Sequence, residues 1–207
     1  MEEETLEYLK GTTTVGLSCE DGIVLATDTR ASAGKEIASK EAKKLYKITD
    51  RMGVTVAGSV GDTQELVKNL RAESRYYKHR EGAPIRIQSA AKMASNMFRG
   101  ALPMLAVLIL AGVDDKGPSL YLLNMDGSMI EENMVATGSG SPVAYGLLES
   151  EYEEGMDLEE ITSLAVNALQ SAMERDTATG DGIRVANISE DKGFRELSSE
   201  EVQGFTS

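Results

Sequence analysis

The sequence predicts an α+β fold, a four-layer αββα sandwich of two antiparallel sheets flanked by helix pairs. Two observations carry that prediction. Short apolar runs come in pairs joined by tight-turn signals such as Glu20-Asp21-Gly22 and Asp126-Gly127, the pattern of hairpins. The element order is strands, two helices, strands, two helices, strands, which departs from the strict alternation of a parallel α/β sheet. Two hairpin-built sheets packed face to face, each covered outside by a helix pair, satisfy both.

The elements follow in order. Val15, Leu17 and Cys19 alternate with smaller or polar residues, and Ile23 to Ala26 returns after the turn, so a hairpin directly follows a run of threonines. Asp28 to Ser39 is a polar loop with a short strand around Ile37. Leu45 to Ile48 and Val54 to Ala57 are two more strands, completing the first half of a sheet. A helix then runs to about His79, with Leu66, Leu70 and Tyr77 on its buried face. Gly82 and Pro84 break it, and a second helix spans about Ile85 to Arg99. Leu102 to Val113 is too short an apolar run for a membrane helix, which needs about 20 residues, and reads as a buried strand. Ser119 to Asn124, Met129-Ile130 and Val135 to Thr137 continue the strands. Helices follow from about Pro142 to Glu154 and from Leu158 to Arg175, the latter behind an Asp157/Glu160 capping box. Ile183 to Ile188 and Phe194 to Leu197 form a last hairpin, and Ser198 with Glu201 caps a short terminal helix. Residues 12–207 read as one domain behind a leader of residues 1–11.

Composition excludes several functions. A net charge of −13 over 207 residues disfavours nucleic acid, whose phosphates need cationic partners, and anionic membrane. One cysteine, Cys19, permits no intrachain disulfide, which fits an intracellular setting. One histidine, His79, leaves no His/Cys metal site, and its place among Tyr76, Tyr77, Lys78 and Arg80 is that of a solvated helix end. The acidic stretch Met1 to Lys10 is no secretory signal.

Chemistry centres on Gly11-Thr12-Thr13-Thr14-Val15-Gly16. Cutting after Gly11 would leave Thr12 with a hydroxyl nucleophile and a free α-amine on one residue. An amine of ordinary pKa about 7.7–8.0 can act as the base for its own hydroxyl. Gly11 offers no side chain against attack on its carbonyl. Three threonines also suit an ordinary strand. Asp28, at a strand end, can orient a cation or simply form a turn. Lys43-Lys44 could turn one amine inward, lowering the pKa of a nearby amine, or stay solvated. Gly58 could expose an N–H to an oxyanion. Gly138-Ser139-Gly140-Ser141 precedes a helix and suits capping and local hydrogen bonding better than phosphate binding. Arg175-Asp176 to Gly182 reads as a helix stop.

Taken together, the Gly11 to Gly16 run, Asp28-Thr29-Arg30-Ala31, Lys43-Lys44, Ala57-Gly58, Gly138-Ser139-Gly140 with Ala144-Tyr145-Gly146, and Arg175-Asp176 with Gly180 resemble a proteasome β subunit of the archaeal catalytic type. The resemblance is collinear from Thr12 to about Leu197. It implies the Ntn-hydrolase fold, self-cleavage of the Gly11–Thr12 bond, and Thr12 rather than Thr13 or Thr14 as the nucleophile. It implies that Lys44 tunes the Thr12 amine, Asp28 holds Lys44, and the Gly58 N–H serves the oxyanion. Ser139, Asp176 and Thr179 then form a supporting network, Thr179 standing where the family usually has Ser. Ala31, Ser32, Ala42, Tyr46, Val56 and Val60 would line the substrate pocket and favour cleavage after large hydrophobic residues. No cofactor or metal is implied. The partners implied are a homo-heptameric β ring stacked on a second, two α-subunit rings, an ATP-dependent unfoldase and unfolded protein substrates, all cytoplasmic. A non-catalytic β subunit, a bacterial two-ring threonine peptidase and an N-terminal nucleophile amidase are the alternatives.

Overall fold

The computed structural model describes residues 11–33, 36–58, 60–100 and 106–206. One five-stranded antiparallel sheet has the order β10-β1-β2-β11-β12, built from β1 (Thr13–Cys19), β2 (Gly22–Asp28), β10 (Met134–Gly138), β11 (Ile183–Ser189) and β12 (Gly193–Glu196). The other has the order β5-β6-β7-β8-β9, from β5 (Leu45–Thr49), β6 (Met52–Gly58), β7 (Ala106–Asp114), β8 (Gly117–Leu123) and β9 (Met129–Glu131). Helices α1 (Val60–Glu81) and α2 (Ile87–Gly100) cover the second sheet; α3 (Ser141–Glu151) and α4 (Leu158–Arg175) cover the first. A short α5 (Ser199–Gln203) ends the described chain.

Three apolar layers hold these four. Between the sheets lie Ile23, Leu25, Leu45, Ile109, Ala111, Leu120, Val135, Ala186 and Ile188. Outside the first sheet, Val15, Leu17 and Val24 meet Ile161, Leu164, Ala165, Ala168 and Leu169, whose spacing is a helical stripe along α4. Outside the second, Val54, Val56, Leu108 and Leu110 meet Leu66 and Leu70 of α1 and Ala90, Ala91 and Ala94 of α2. Strand alternation explains the split: Val15 and Leu17 face the helices, so Gly16 faces the other sheet.

The sequence expectation needs correction in detail. The two early hairpins belong to different sheets, β1-β2 to the first and β5-β6 to the second. The strand near Ile37 is two short ones, β3 (Ala31–Ala33) and β4 (Glu36–Ser39), paired as a separate ribbon. Helix α1 runs on to Glu81 and stops where Gly82 takes φ +72°. Helix α3 ends three residues early: Tyr152 is extended, and its hydroxyl donates to the Ser18 carbonyl at 2.8 Å, tying the helix end to β1. The run from Leu102 is a strand from Ala106; residues 101–105 lie outside those described. Both capping boxes, at Asp157/Glu160 and Ser198/Glu201, are present. Among the described residues, no helix is long and apolar enough to cross a membrane.

Register brings chemistry to one end of the sandwich. Thr13 lies opposite Gly138, Thr14 opposite Thr27, and Asp28 opposite Ile183. The start of β1 and the ends of β2 and β10 therefore share an edge with the start of β11. Lys44 precedes β5 at the matching end of the other sheet.

Gly16 tests the inter-sheet packing. A Cβ there would lie 2.7 Å from Leu120 Cδ1 and 2.8 Å from Ile109 Cγ2. Gly16→Ala is expected to cost about 1–3 kcal/mol through overpacking, read as a lowered denaturant midpoint.

Candidate active site

Asp28 is the fixed point of the site. It ends β2, is fully buried, and accepts four hydrogen bonds. Oδ1 takes Lys44 Nζ at 2.7 Å and the Thr13 N–H at 3.0 Å; Oδ2 takes the Gly180 N–H at 3.0 Å and the Arg30 N–H at 3.1 Å. Four acceptor positions are thus filled by donors from four segments. Burial pushes the Asp28 carboxyl above its ordinary pKa, against the pull of Lys44. Burial likewise pushes the Lys44 ammonium down, against Asp28. Desolvation outweighs mutual attraction on both partners, as expected for a buried ion pair. Of the two candidate lysines, Lys44 turns inward, while Lys43 is exposed with its ammonium 5.6 Å from the Tyr46 ring.

Thr12 is buried, and its hydroxyl donates to the Gly11 carbonyl oxygen at 2.6 Å. Lys44 Nζ donates to the same oxygen at 3.3 Å. Gly11 is joined to Thr12, whose nitrogen is therefore an amide and no base. Gly11 takes φ +153°, a backbone conformation that favours glycine, and a Cβ there would lie 2.1 Å from Ser32 Oγ, which would have to turn aside. Gly138, at φ +95°, lets the Thr12 carbonyl come close: a Cβ would lie 1.9 Å from that oxygen.

Ser139 does not cap α3. The N-cap is Gly140 with no side-chain bond, while Ser139 Oγ donates to Asp176 Oδ2 at 2.5 Å and lies 3.5 Å from the Thr12 carbonyl oxygen. Asp176 is the C-cap of α4, so the helix stop and the polar network are one residue. Its Oδ2 also takes the Thr179 hydroxyl at 2.5 Å, and its Oδ1 the Ala178 N–H at 3.1 Å. The Thr in place of the family's usual Ser keeps the hydroxyl within reach of the carboxylate.

Hydrogen bonds thus link Thr12, Asp28, Lys44, Ser139, Asp176 and Thr179. Gly58 ends β6 at φ +140°, two residues after Val56, whose N–H donates to the Lys44 carbonyl at 3.0 Å. Of the expected pocket residues, Ala31 and Ser32 are on β3, and the Ala42 N–H donates to the Thr29 carbonyl at 2.8 Å. Tyr46 and Val56 are buried in the layer between the second sheet and its helices, so little of either faces outward. Val60 opens α1; its side chain lies outside those described. His79 is exposed.

Sequence reasoning missed Thr13, Gly180 and Arg30 as partners of this site. The Arg30 guanidinium donates to Asp181 Oδ2 and to the Thr177 carbonyl, each at 2.8 Å, clamping the loop that carries Asp176 and Thr179. All three stand in the motifs that carry the resemblance, but membership of a motif does not reveal a contact such as that of Arg30 with Asp181, 151 residues away.

A family model described as proteasome subunit matches residues 8–188. A proteasome subunit beta of Methanopyrus kandleri is 48% identical over 205 residues, covering 97% of this chain and 98% of the relative. One from Methanothermobacter thermautotrophicus is 47% identical, covering 94% of each. One from Methanocaldococcus vulcanius is 50% identical, covering 95% of this chain and 90% of the relative.

Removing one partner of the Asp28–Lys44 pair leaves a buried charge alone. Asp28→Asn and Lys44→Met are each expected to lower stability by about 3–5 kcal/mol, and the double variant by less than their sum. Urea unfolding of the three variants measures this.

Proposed function

We propose, from the premise that this chain belongs to the proteasome β-subunit family, that it is a threonine endopeptidase of the proteasome core, made active by cutting its own Gly11–Thr12 bond. The observation that carries this reading is the convergence on one carbonyl. The Thr12 hydroxyl and the Lys44 ammonium both reach the Gly11 oxygen, at 2.6 and 3.3 Å, with Asp28 holding Lys44.

In the self-cut, Thr12 Oγ attacks the Gly11 carbonyl carbon. Lys44 stabilises the negative charge forming on the Gly11 oxygen. The hydroxyl proton passes to the Thr12 nitrogen as the C–N bond breaks, leaving an ester and a free α-amine. Water hydrolyses the ester and releases residues 1–11 with a carboxylate on Gly11. The domain from Thr12 onward then carries nucleophile and base on one residue.

On a substrate, Thr12 Oγ attacks the scissile carbonyl while the Thr12 amine, through a water, takes the proton and returns it to the leaving amine. The Lys44 charge keeps that amine free of its own proton. The Gly58 N–H serves the oxyanion, and Ser139, Asp176 and Thr179 order the surroundings of the amine. Water then releases the acyl group from Thr12. Ala31, Ser32, Ala42 and Val60 bring no charge to the pocket, with the uncharged Tyr46 and Val56 buried behind it, which favours cleavage after large hydrophobic residues. The subunits work in two stacked heptameric β rings between α rings, fed with unfolded protein in the cytoplasm by an ATP-dependent unfoldase.

Intact mass of the chain assembled with its α-subunit partner tests the self-cut. A loss matching residues 1–11, abolished by Thr12→Ala, is the expected result; a full-length wild-type mass overturns it and favours a non-catalytic subunit. A panel of short fluorogenic peptides tests preference: cleavage after Leu, Phe or Tyr should exceed cleavage after Arg or Glu.

Acid should stop hydrolysis without unfolding at this residue. With its pKa raised in the fold, Asp28 is protonated on acidification before an ordinary aspartate, and Lys44 loses its anchor. That carboxyl's own contribution to folding stability grows as pH falls through its raised pKa, because the folded state binds its proton more tightly. Hydrolysis is therefore expected to fall at pH values above the ordinary aspartate range while circular dichroism stays native.

A further inference from the structure

The second threonine of the run has so far entered only through its backbone N–H, yet its side chain is fully buried as well. Thr13 Oγ1 lies 2.7 Å from Thr179 Oγ1, and both residues are 0% exposed. Thr179 Oγ1 in turn lies 2.5 Å from Asp176 Oδ2. A hydroxyl carries one proton, and an ionised carboxylate can only accept. Thr179 therefore spends its proton on Asp176, and the hydrogen between the two threonines must come from Thr13. The direction of the chain is fixed: Thr13 O–H to Thr179, Thr179 O–H to Asp176, with Ser139 O–H reaching the same carboxylate oxygen from the other side.

Gly140 makes room for this pair. A Cβ there would lie 2.2 Å from Thr13 Oγ1 and 3.0 Å from Thr179 Oγ1. The backbone of Thr13 is used as well, donating to Asp28 at 3.0 Å. One residue thus touches both polar centres, Asp28 through its N–H and the Asp176 network through its hydroxyl.

We propose that Thr13 is a positioning residue for the peptidase reaction. Its hydroxyl fixes the rotamer of Thr179, which with Ser139 holds Asp176 in place beside Thr12. Without that donor, Thr179 Oγ would be a buried acceptor with nothing to accept, held in its rotamer only by its own bond to the carboxylate. The consequence falls on the chemical step, since Thr13 is buried beneath the site and touches no substrate.

This inference rests on Thr12 being the nucleophile, and the experiment separates the two. The α/β assembly is prepared with wild-type β chain and with Thr13→Val, Thr13→Ser and Thr13→Cys. Processed subunits are counted by intact mass, and kcat and KM for a hydrophobic fluorogenic peptide are measured per processed subunit. Thr13→Val keeps the shape and removes the hydroxyl, so kcat is expected to fall about tenfold with KM within about twofold, the loss of roughly one buried hydrogen bond. Thr13→Ser should restore wild-type kcat, and Thr13→Cys, a weaker donor, should lie between. Should Thr13→Val fail to assemble, the order Thr, Ser, Cys in kcat decides. Wild-type kcat in Thr13→Val or Thr13→Cys, or a loss in Thr13→Ser as large as in Thr13→Val, overturns the proposal. An inactive, unprocessed wild-type assembly instead overturns the Thr12 reading itself.

Discussion

The buried carboxylate of Asp28 is the constraint on which the rest of the structure depends. A charge removed from water must be met by donors in good geometry or it destabilises the fold. Here the donors come from the start of β1, the residue before β5, the backbone just after β2 and the loop before β11. Satisfying one side chain therefore fixes the relative placement of both sheets and of the loop after α4. Thr12 is positioned as a by-product: it is the neighbour of a residue whose N–H is already committed, and Lys44 reaches the Gly11 carbonyl because Asp28 holds its ammonium.

Glycines do the complementary work of making space. In Gly138-Ser139-Gly140 each position has its own reason. Gly138 yields to the Thr12 carbonyl, Ser139 reaches Asp176, and Gly140 yields to the Thr13 and Thr179 hydroxyls. The loop is a mould around the first two threonines. Gly180 does the same for Arg30, whose guanidinium carbon would lie 2.5 Å from an added Cβ.

The layers were legible in the sequence because they follow from local patterns: period-2 alternation in hairpins, helical stripes, and capping residues at Asp157 and Ser198. Assignment of β1-β2 and β5-β6 to different sheets was not, since partner choice depends on which faces bury together rather than on the strands themselves. Asp28, Lys44, Ser139, Asp176 and Thr179 were reached by resemblance, not by spacing; the residues alone left each of them an ordinary turn, surface or capping alternative. Thr13 and Arg30 stand inside the motifs that carry the resemblance, but neither route gave them a role. A threonine inside a strand carries no mark of what its hydroxyl meets, and the partner of Thr13 lies 166 residues away.

That separation has a bearing on when the site can exist. β1 is flanked by β10 and β2, and β2 by β1 and β11, so the central strands of the first sheet find their outer neighbours only from Met134 onward. During synthesis the threonine run emerges well before Gly138, Asp176 and Gly180, which close around it. Pairings this distant are slow, since loop closure must precede the contacts that reward it. Completion of the site is thereby placed at the end of folding. The nascent chain carries its threonine run long before the partners of that run exist, a delay set by topology alone.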